Sequence, residues 1–509
     1  MDFSTSPSTK TKSSGLNPVF WLVLMAFAGY SWLIIHNVNA CAGGSDSSGY
    51  MNHAQLLANG RVHATERTIT GVEYQNLHSY LYTPLGLKPA PLFSGLVPTY
   101  PTGISLMIMA VSPVMGWNHA GDAVIVLHSL AGIILIFLLA QAMGLGMRYS
   151  TLALVILATS PLYLTYSVQL MSDLPAMVWA TLAVLAAWKS SKSQTKRSES
   201  GWSLACGFAV SVAVLIRPTN VLIFIPVLFA LGLSPKRIFT CGAGGIPGAV
   251  FFALHSSAAY GNIGTTGYGD AWALFESTYG KITLLHYMHW IPIVFSPIAA
   301  LAVGLIFLIK KSTRLSLVLL SWILVYLGFY CFYSCTHETW WYLRFILPAG
   351  PALIVGGLIV IRSVLTLVGF KQYPSTYQRL AYITVAAVIA VSSSLWTKKL
   401  NALTAGRGES VYPRTAQWLR DNVPTNAVIL AMQESGALFY YTQFTIIRWD
   451  ELDKQLTNQI VLKTTAQNRP IYAALFNWEV DDALHKHFPG NWIKCETLKD
   501  TTIWKRQSQ

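Results

Sequence analysis

Three short segments hold residues that could do chemistry together. The first, GGSDSSGYMNHAQLLANGR, carries Asp46. Gly43 and Gly44 permit a tight turn, Ser45 or Asp46 can cap a helix, and Tyr50, Ala54 and Leu57 share one face before Gly60 stops it. The second, QLMSDLPAMVW, sets Asp173 at the head of another helix, with Pro175 suited to its first turn. Capping alone would account for either aspartate. Brought to one surface, the two could serve instead as general base and second polar ligand, with partial desolvation raising basicity. The third segment, CTHETWWYLRFILPAGP, places His337, Glu338, Tyr342 and Arg344 within eight residues. The fork of Arg344 fits a pair of phosphate oxygens, whereas the aromatics also suit a membrane interface.

Weaker candidates are Lys281, His286, Tyr287 and His289 in the stretch 260–290, and Arg217 in LIRPTN. Lys281 and Arg217 could each meet an anionic head group. His286-x-x-His289 lacks the remaining ligands of a metal site, so a divalent metal stays open as a cofactor without being required. Six cysteines show no CxxC spacing, which gives neither a zinc ribbon nor a disulfide framework.

The elements that position these residues lie in a membrane. Of 509 residues 53% are hydrophobic and only 11% are charged, against about 25% charged in a typical soluble domain. No lysine, arginine, aspartate or glutamate lies between Lys12 and Asp46 or between Asp122 and Arg148, and each run exceeds the roughly 20 residues that span a bilayer. Apolar runs predict eleven spans: 17–38, 122–143, 149–168, 174–189, 202–216, 219–233, 239–259, 291–309, 315–333, 343–361 and 380–396. A twelfth stretch, Pro101 to Trp117, is short and proline-rich and is expected to lie in the interface. The first run is too long for a signal-peptide core and reads as an uncleaved anchor.

Lysine and arginine set the orientation. With a cytoplasmic amino terminus and eleven spans, most basic residues of the membrane part fall inside, and only Arg61, Arg67, Lys88, Arg217, Lys281 and Arg344 face out. The acidic residues Asp46, Glu66, Glu73, Asp122, Asp173, Asp270, Glu276 and Glu338 then all face out. Topology does not require that sorting, so it points to chemistry on the extracytoplasmic side.

The expected domains are a cytoplasmic tail (1–16), a transmembrane module (17–396) with a long first outer loop (39–121), and a soluble extracytoplasmic α/β domain (397–509). In the last, Tyr412 to Asp421 and Gly436 to Tyr441 read as helices, and Ala427 to Ala431 and Ile471 to Leu475 as strands. Fourteen basic and eleven acidic residues after Trp396 leave about +3, too mild for a nucleic-acid surface.

The order of these motifs, SDSSGYMNHAQLLANG, TYPTGISLMI, MSDLPA and WWYLRFILPAGP, resembles the GT-C glycosyltransferases. The likeness is closest to the dolichyl-phosphate-mannose protein mannosyltransferase superfamily and the lipid A aminoarabinose transferases, and covers about Pro18 to Ile361. It implies an integral inner-membrane enzyme that moves a sugar from a polyprenyl-phosphate donor to an extracytoplasmic glycolipid, polysaccharide or protein. Asp46 then looks like the catalytic aspartate, acting as base on the acceptor hydroxyl, and Asp173 like the family's second acidic position. Arg344 looks like the basic residue near the donor phosphate, with Lys281 and Arg217 as further phosphate contacts. Tyr50, His337, Glu338 and Tyr342 are expected at the substrate. A His-Pro-Pro motif is absent, since the corresponding stretch reads LVPTYPTG, which favours an acceptor other than that of the protein mannosyltransferases. The competing classes are a multi-span transporter or flippase, which would place charges near mid-membrane on repeated helices, and a membrane-anchored scaffold.

Overall fold

The computed structural model describes residues 18–72, 80–92, 94–269 and 271–507. The tail 1–16 and the acidic residues Glu73 and Asp270 lie outside the described residues. Helix α1 (Pro18–Asn37) leads into α2 (Ser45–Ala58), an antiparallel hairpin of β1 (Leu87–Pro89) and β2 (Leu96–Pro98), and α3 (Gly103–Met115). There follow α4 (Trp117–Ala142), α5 (Met147–Thr159), α6 (Pro161–Tyr166), α7 (Asp173–Lys192), α8 (Lys196–Ile216), α9 (Phe224–Leu231) and α10 (Pro235–Tyr260). Next come α11 (Tyr279–Val294), α12 (Pro297–Ala300), α13 (Thr313–Tyr330), α14 (Gly350–Leu367) and α15 (Ser375–Lys399).

Six helical stretches among the described residues are long and apolar enough to cross a membrane: α4, α8, α10, α13, α15, and Trp340–Leu367, which joins a 3-10 segment to α14. Helix α3 has 13 residues, roughly 20 Å at 1.5 Å per residue, too short to cross alone. Several expected spans are interrupted. Ser160 accepts a hydrogen bond from Tyr163 N and Pro161 opens α6, so the run 149–168 breaks into two helices. The runs 219–233 and 291–309 are likewise part 3-10 helix. Apolar composition alone does not reveal such breaks, because proline at a first helical turn is compatible with the same hydropathy.

Helix α7 lies at the centre, packed against α4, α8 and the Trp340–Ala349 segment. Its charges suit the helix dipole, with Asp173 in the first turn and Lys189 and Lys192 in the last. Asp122, in the second turn of α4, accepts a hydrogen bond from Ala40 N at 2.7 Å and so ties the end of the first anchor to the bundle.

The carboxy-terminal part comprises α16 (Ala405–Gly408), α17 (Val411–Asn422), β3 (Val428–Leu430), α18 (Ser435–Tyr441), β4 (Thr445–Ile447), α19 (Lys454–Ala466), β5 (Ile471–Phe476), β6 (Trp492–Leu498) and β7 (Thr501–Arg506). One sheet of order β4-β3-β5-β7-β6 results, parallel across β4-β3-β5 and antiparallel across β5-β7-β6. The expected helices and the two expected strands are present; β4 and the β6–β7 hairpin are additional.

This sheet does not stand apart from the 39–121 loop. Strand β3 sends Val428 and Leu430 to one face and Ile429 to the other, as period-2 alternation requires. The first face buries Ile69, Val72, Leu81 and Tyr82 of the loop, and the second buries Leu87 and Leu96 of its hairpin. Backbone and side-chain bonds add to the join: Arg448 N donates to Leu81 O at 2.9 Å, and Arg67 donates to Thr442 O at 2.8 Å. Loop and domain share their cores.

Candidate functional site

Helix α2, which carries Asp46, is fixed from several sides. Gly44, its N-cap, has no side-chain cap, but its N–H donates to Glu409 Oε2 at 3.2 Å. Burial pushes the Glu409 carboxyl above its ordinary range. Asn52 donates to Gly436 O at 3.1 Å in α18, and Ser105 of α3 donates to Tyr50 O at 3.0 Å. Further along, His53 Nε2 stands 3.1 Å from His255 Nε2 of α10, both rings being buried. Gly49 packs against Gly86, whose φ of +87° is natural only for glycine.

So held, Asp46 in the first turn of α2 faces a cavity of about 420 Å³. Asp173 reaches it from the first turn of α7, Arg217 from the end of α8, and Arg344 from the 3-10 segment. Arg344 Nη1 lies 3.2 Å from Asp46 Oδ2 and 3.9 Å from Asp173 Oδ2. Arg217 Nη1 donates to Asp173 Oδ1. Four charged groups from four chain segments therefore form one balanced network, two carboxylates against two guanidiniums.

The two carboxylates differ. Asp173 is 2% exposed and gripped by both arginines, whereas Asp46 is 25% exposed and engaged by Arg344. Buried charges of this kind are stable only when paired. Arg344 stands over the ring of Phe345 at 5.1 Å and Arg217 over the same ring at 5.3 Å, so one aromatic ring buttresses both cations. Arg344 Nε has no hydrogen-bond partner among the described residues, which leaves a donor unused.

Aromatic side chains form the rest of the wall: Tyr50, Tyr100, Tyr268, Phe275, Tyr330 and Tyr333. Tyr100 OH lies 2.8 Å from Ser45 Oγ, and Tyr330 OH donates to Thr219 Oγ1 at 2.7 Å. Burial, reinforced by Asp46, pushes the phenols of Tyr50 and Tyr100 upward, so both remain protonated hydrogen-bond donors at neutral pH.

Of the residues singled out in the sequence, Asp46, Asp173, Arg344, Arg217 and Tyr50 line this cavity. Tyr342 lies just behind, its ring under Arg344 at 5.8 Å and stacked on Phe345. Lys281 and Glu338 are exposed outside the lining, and His337 stacks on Tyr279, also away from it. His286 Nε2 lies 3.2 Å from Thr339 O. Among the described residues no three His, Cys, Asp or Glu side chains converge to hold a metal. Sequence reading missed Tyr100, Tyr268, Thr219 and Tyr330. Only Tyr100 had a local signal, as the tyrosine of the TYPTG stretch.

Residues 100–256 match the family model for dolichyl-phosphate-mannose-protein mannosyltransferase. The fold is similar to that of ArnT from Cupriavidus metallidurans, solved bound to undecaprenyl phosphate, with 12% identity, a TM-score of 0.60, and coverage of 96% of this chain and 98% of that one. It is also similar to the oligosaccharyltransferase of Archaeoglobus fulgidus, solved tethered to an acceptor peptide containing the NVT sequon (11% identity, TM-score 0.55, 96% and 74% covered). A third likeness is to the arabinofuranosyltransferase AftD from mycobacteria (13% identity, TM-score 0.53, 97% and 40% covered). No curated protein matches the sequence. Fold and matched segment thus agree with the class expected from the motifs, the membrane glycosyltransferases of GT-C architecture. They favour a transferase over a transporter.

Proposed function

We propose that the protein transfers a sugar from a polyprenyl-phosphate donor to an acceptor hydroxyl on the extracytoplasmic side of the inner membrane. One observation carries the reading: Arg344 reaches both Asp46 and Asp173 at the wall of a single cavity. A phosphate oxygen entering that cavity competes with Asp46 for the Arg344 fork. Arg344 and Arg217 then offset the phosphate charge, and Asp46, relieved of its partner, is free to act as base.

The step balances. The acceptor oxygen forms a bond to the anomeric carbon while the bond from that carbon to the phosphate oxygen breaks. The electron pair leaves with the polyprenyl phosphate, where the arginines stabilise it, and the acceptor proton passes to Asp46. Asp173 serves as a positioning residue that orients both guanidiniums. The tyrosines Tyr50, Tyr100 and Tyr268 offer hydroxyls and aromatic faces to a sugar ring.

The same reading sets the topology. The terminal domain touches the amino end of α2 through Glu409 and Gly44, so domain and cavity share one side. A cytoplasmic amino terminus and eleven crossings, the arrangement that the lysines and arginines favour, would make that side the extracytoplasmic one. The domains 1–16, 17–396 and 397–509 follow, with the last acting together with the 39–121 loop.

Purified protein in nanodiscs, given a panel of polyprenyl-phosphate hexoses and pentoses together with envelope glycolipids, polysaccharides and proteins as acceptors, tests the proposal. Acceptor-dependent release of polyprenyl phosphate from at least one donor is expected. Turnover of no lipid-phosphate sugar, by protein that remains folded, would contradict it.

A further inference from the structure

A second cavity, of about 450 Å³, lies at the other ends of the helices. Arg362 is eighteen residues beyond Arg344 along a helical path, which at 1.5 Å per residue is at least roughly 27 Å. That is close to the thickness of the bilayer hydrocarbon, about 30 Å. The cavity is therefore one membrane away from Asp46.

Its lining joins Arg148, from the first turn of α5, to Arg362 of α14 and to Gln378 and Tyr382 of α15. Arg148 donates to Gln378 Oε1 at 3.2 Å and stands over the Tyr382 ring at 5.5 Å. Arg362 donates to Gly144 O, which leaves the other nitrogens of its guanidinium available. No carboxylate lines the cavity, and no ion pair involves Arg148 or Arg362 among the described residues.

Two cations facing one hollow repel each other, and Arg148 also sits at the positive end of the α5 dipole, where a cation is disfavoured. An anion between them would reverse both terms. The surroundings indicate what kind of anion. Met147, Leu365 and Phe370 make the lining partly apolar, and Met147 is exposed there. Chains attached to the anion would lie along them, while tyrosines at the rim suit the interface.

We infer that this cavity binds the phosphate head group of an anionic membrane lipid between Arg148 and Arg362. Occupancy clips α15 to α5 and α14 at the membrane face opposite the Asp46 cavity. Because α15 runs directly into the terminal domain, the bound lipid also steadies the helix on which that domain is mounted. This role does not depend on the glycosyl-transfer reading.

Native mass spectrometry of the full chain, with phosphatidylglycerol or phosphatidylcholine added at matched concentrations, tests the assignment, alongside thermal unfolding in nanodiscs of the same lipids. Wild-type protein should retain phosphatidylglycerol at least tenfold better than phosphatidylcholine and unfold at a higher temperature with it. Arg148→Gln/Arg362→Gln should lose that preference while matching wild type in phosphatidylcholine alone. Arg148→Lys/Arg362→Lys, which keeps the charge, should retain part of it. If the glutamine variant does not fold, the wild-type preference still decides: equal retention of the two lipids overturns the proposal. An unaltered preference in a folded glutamine variant also overturns it. Full stabilisation by inorganic phosphate alone, with no added effect of phosphatidylglycerol, overturns the lipid as the occupant.

Discussion

Arg344 Nη1 lies 3.2 Å from the Oδ2 of Asp46, a residue 298 positions away in the chain. The pair joins the 3-10 segment leading into α14 to the amino end of α2, and it places a guanidinium fork directly beside a candidate base. Replacing Arg344 by alanine removes the fork and leaves Asp46 without its partner. Donor use should fall by about 2 to 4 kcal/mol in transition-state stabilisation, roughly 30- to 1,000-fold in kcat/KM. Arg344→Lys keeps the charge but not the bidentate geometry and should recover only part of this. Steady-state kinetics with the donor varied checks both variants.

Asp173 is expected to act mainly through the arginines it holds. Asp173→Asn strands Arg217 in a buried setting, at a cost of about 3 to 5 kcal/mol by analogy with broken buried pairs. A lowered unfolding temperature in detergent is expected. Pairing it with Arg217→Gln should restore part of that stability without restoring turnover. A double-mutant cycle measures the coupling.

Gly86 supports the site from a distance. Its φ is +87°, and a Cβ there would meet Gly49 Cα at 2.6 Å and Ser45 O at 2.8 Å, both of them backbone atoms of α2. Gly86→Ala should therefore displace the amino end of α2 and cost about 1 to 3 kcal/mol. Activity should fall although the substituted residue touches no substrate. Thermal unfolding and turnover on the same preparation check this.

Glu434 supplies a pH dependence in the terminal domain. It is fully buried, with Oε1 accepting from Thr415 and Thr501 and Oε2 unpartnered among the described residues. Burial pushes its carboxyl from 4.5 up to about 8. Between those values the folded domain binds a proton that the unfolded chain has released. Stability should then decline as pH rises from about 4.5 to about 8 and level off above it, a change on the order of 5 kcal/mol. Glu434→Gln should flatten the slope, leaving the part that the raised carboxyls of Glu409 and Glu479 contribute. Hydrogen exchange of the β3 and β7 amides at several pH values reads the domain without unfolding the membrane part.

The residues that converge were legible in the sequence where each stood out against an apolar background. Asp46, Asp173, Arg217 and Arg344 are ionisable groups at helix ends in a chain with few charges, and their convergence follows from the bundle. The aromatic wall was not legible, because tyrosines abound in this chain and periodicity does not say which of them will face one hollow. Lys281 illustrates the converse: its charge suggested a phosphate contact, but the first turn of α11 directs it to an exposed position outside the cavity. The terminal sheet was legible in β3 and β5, which are continuous apolar runs. Its dependence on Ile69, Leu81 and Leu96 was not, since only tertiary structure brings residues some 350 positions apart into one core.

The central claim is that Asp46 removes the acceptor proton in a site whose arginines hold the donor phosphate. The most direct test is acceptor-dependent turnover by Asp46→Asn, measured beside donor binding. The account predicts a loss of about 100- to 10,000-fold in kcat, with the donor still bound because Arg217 and Arg344 remain. Turnover at the wild-type rate, in a variant that binds donor normally, would contradict it.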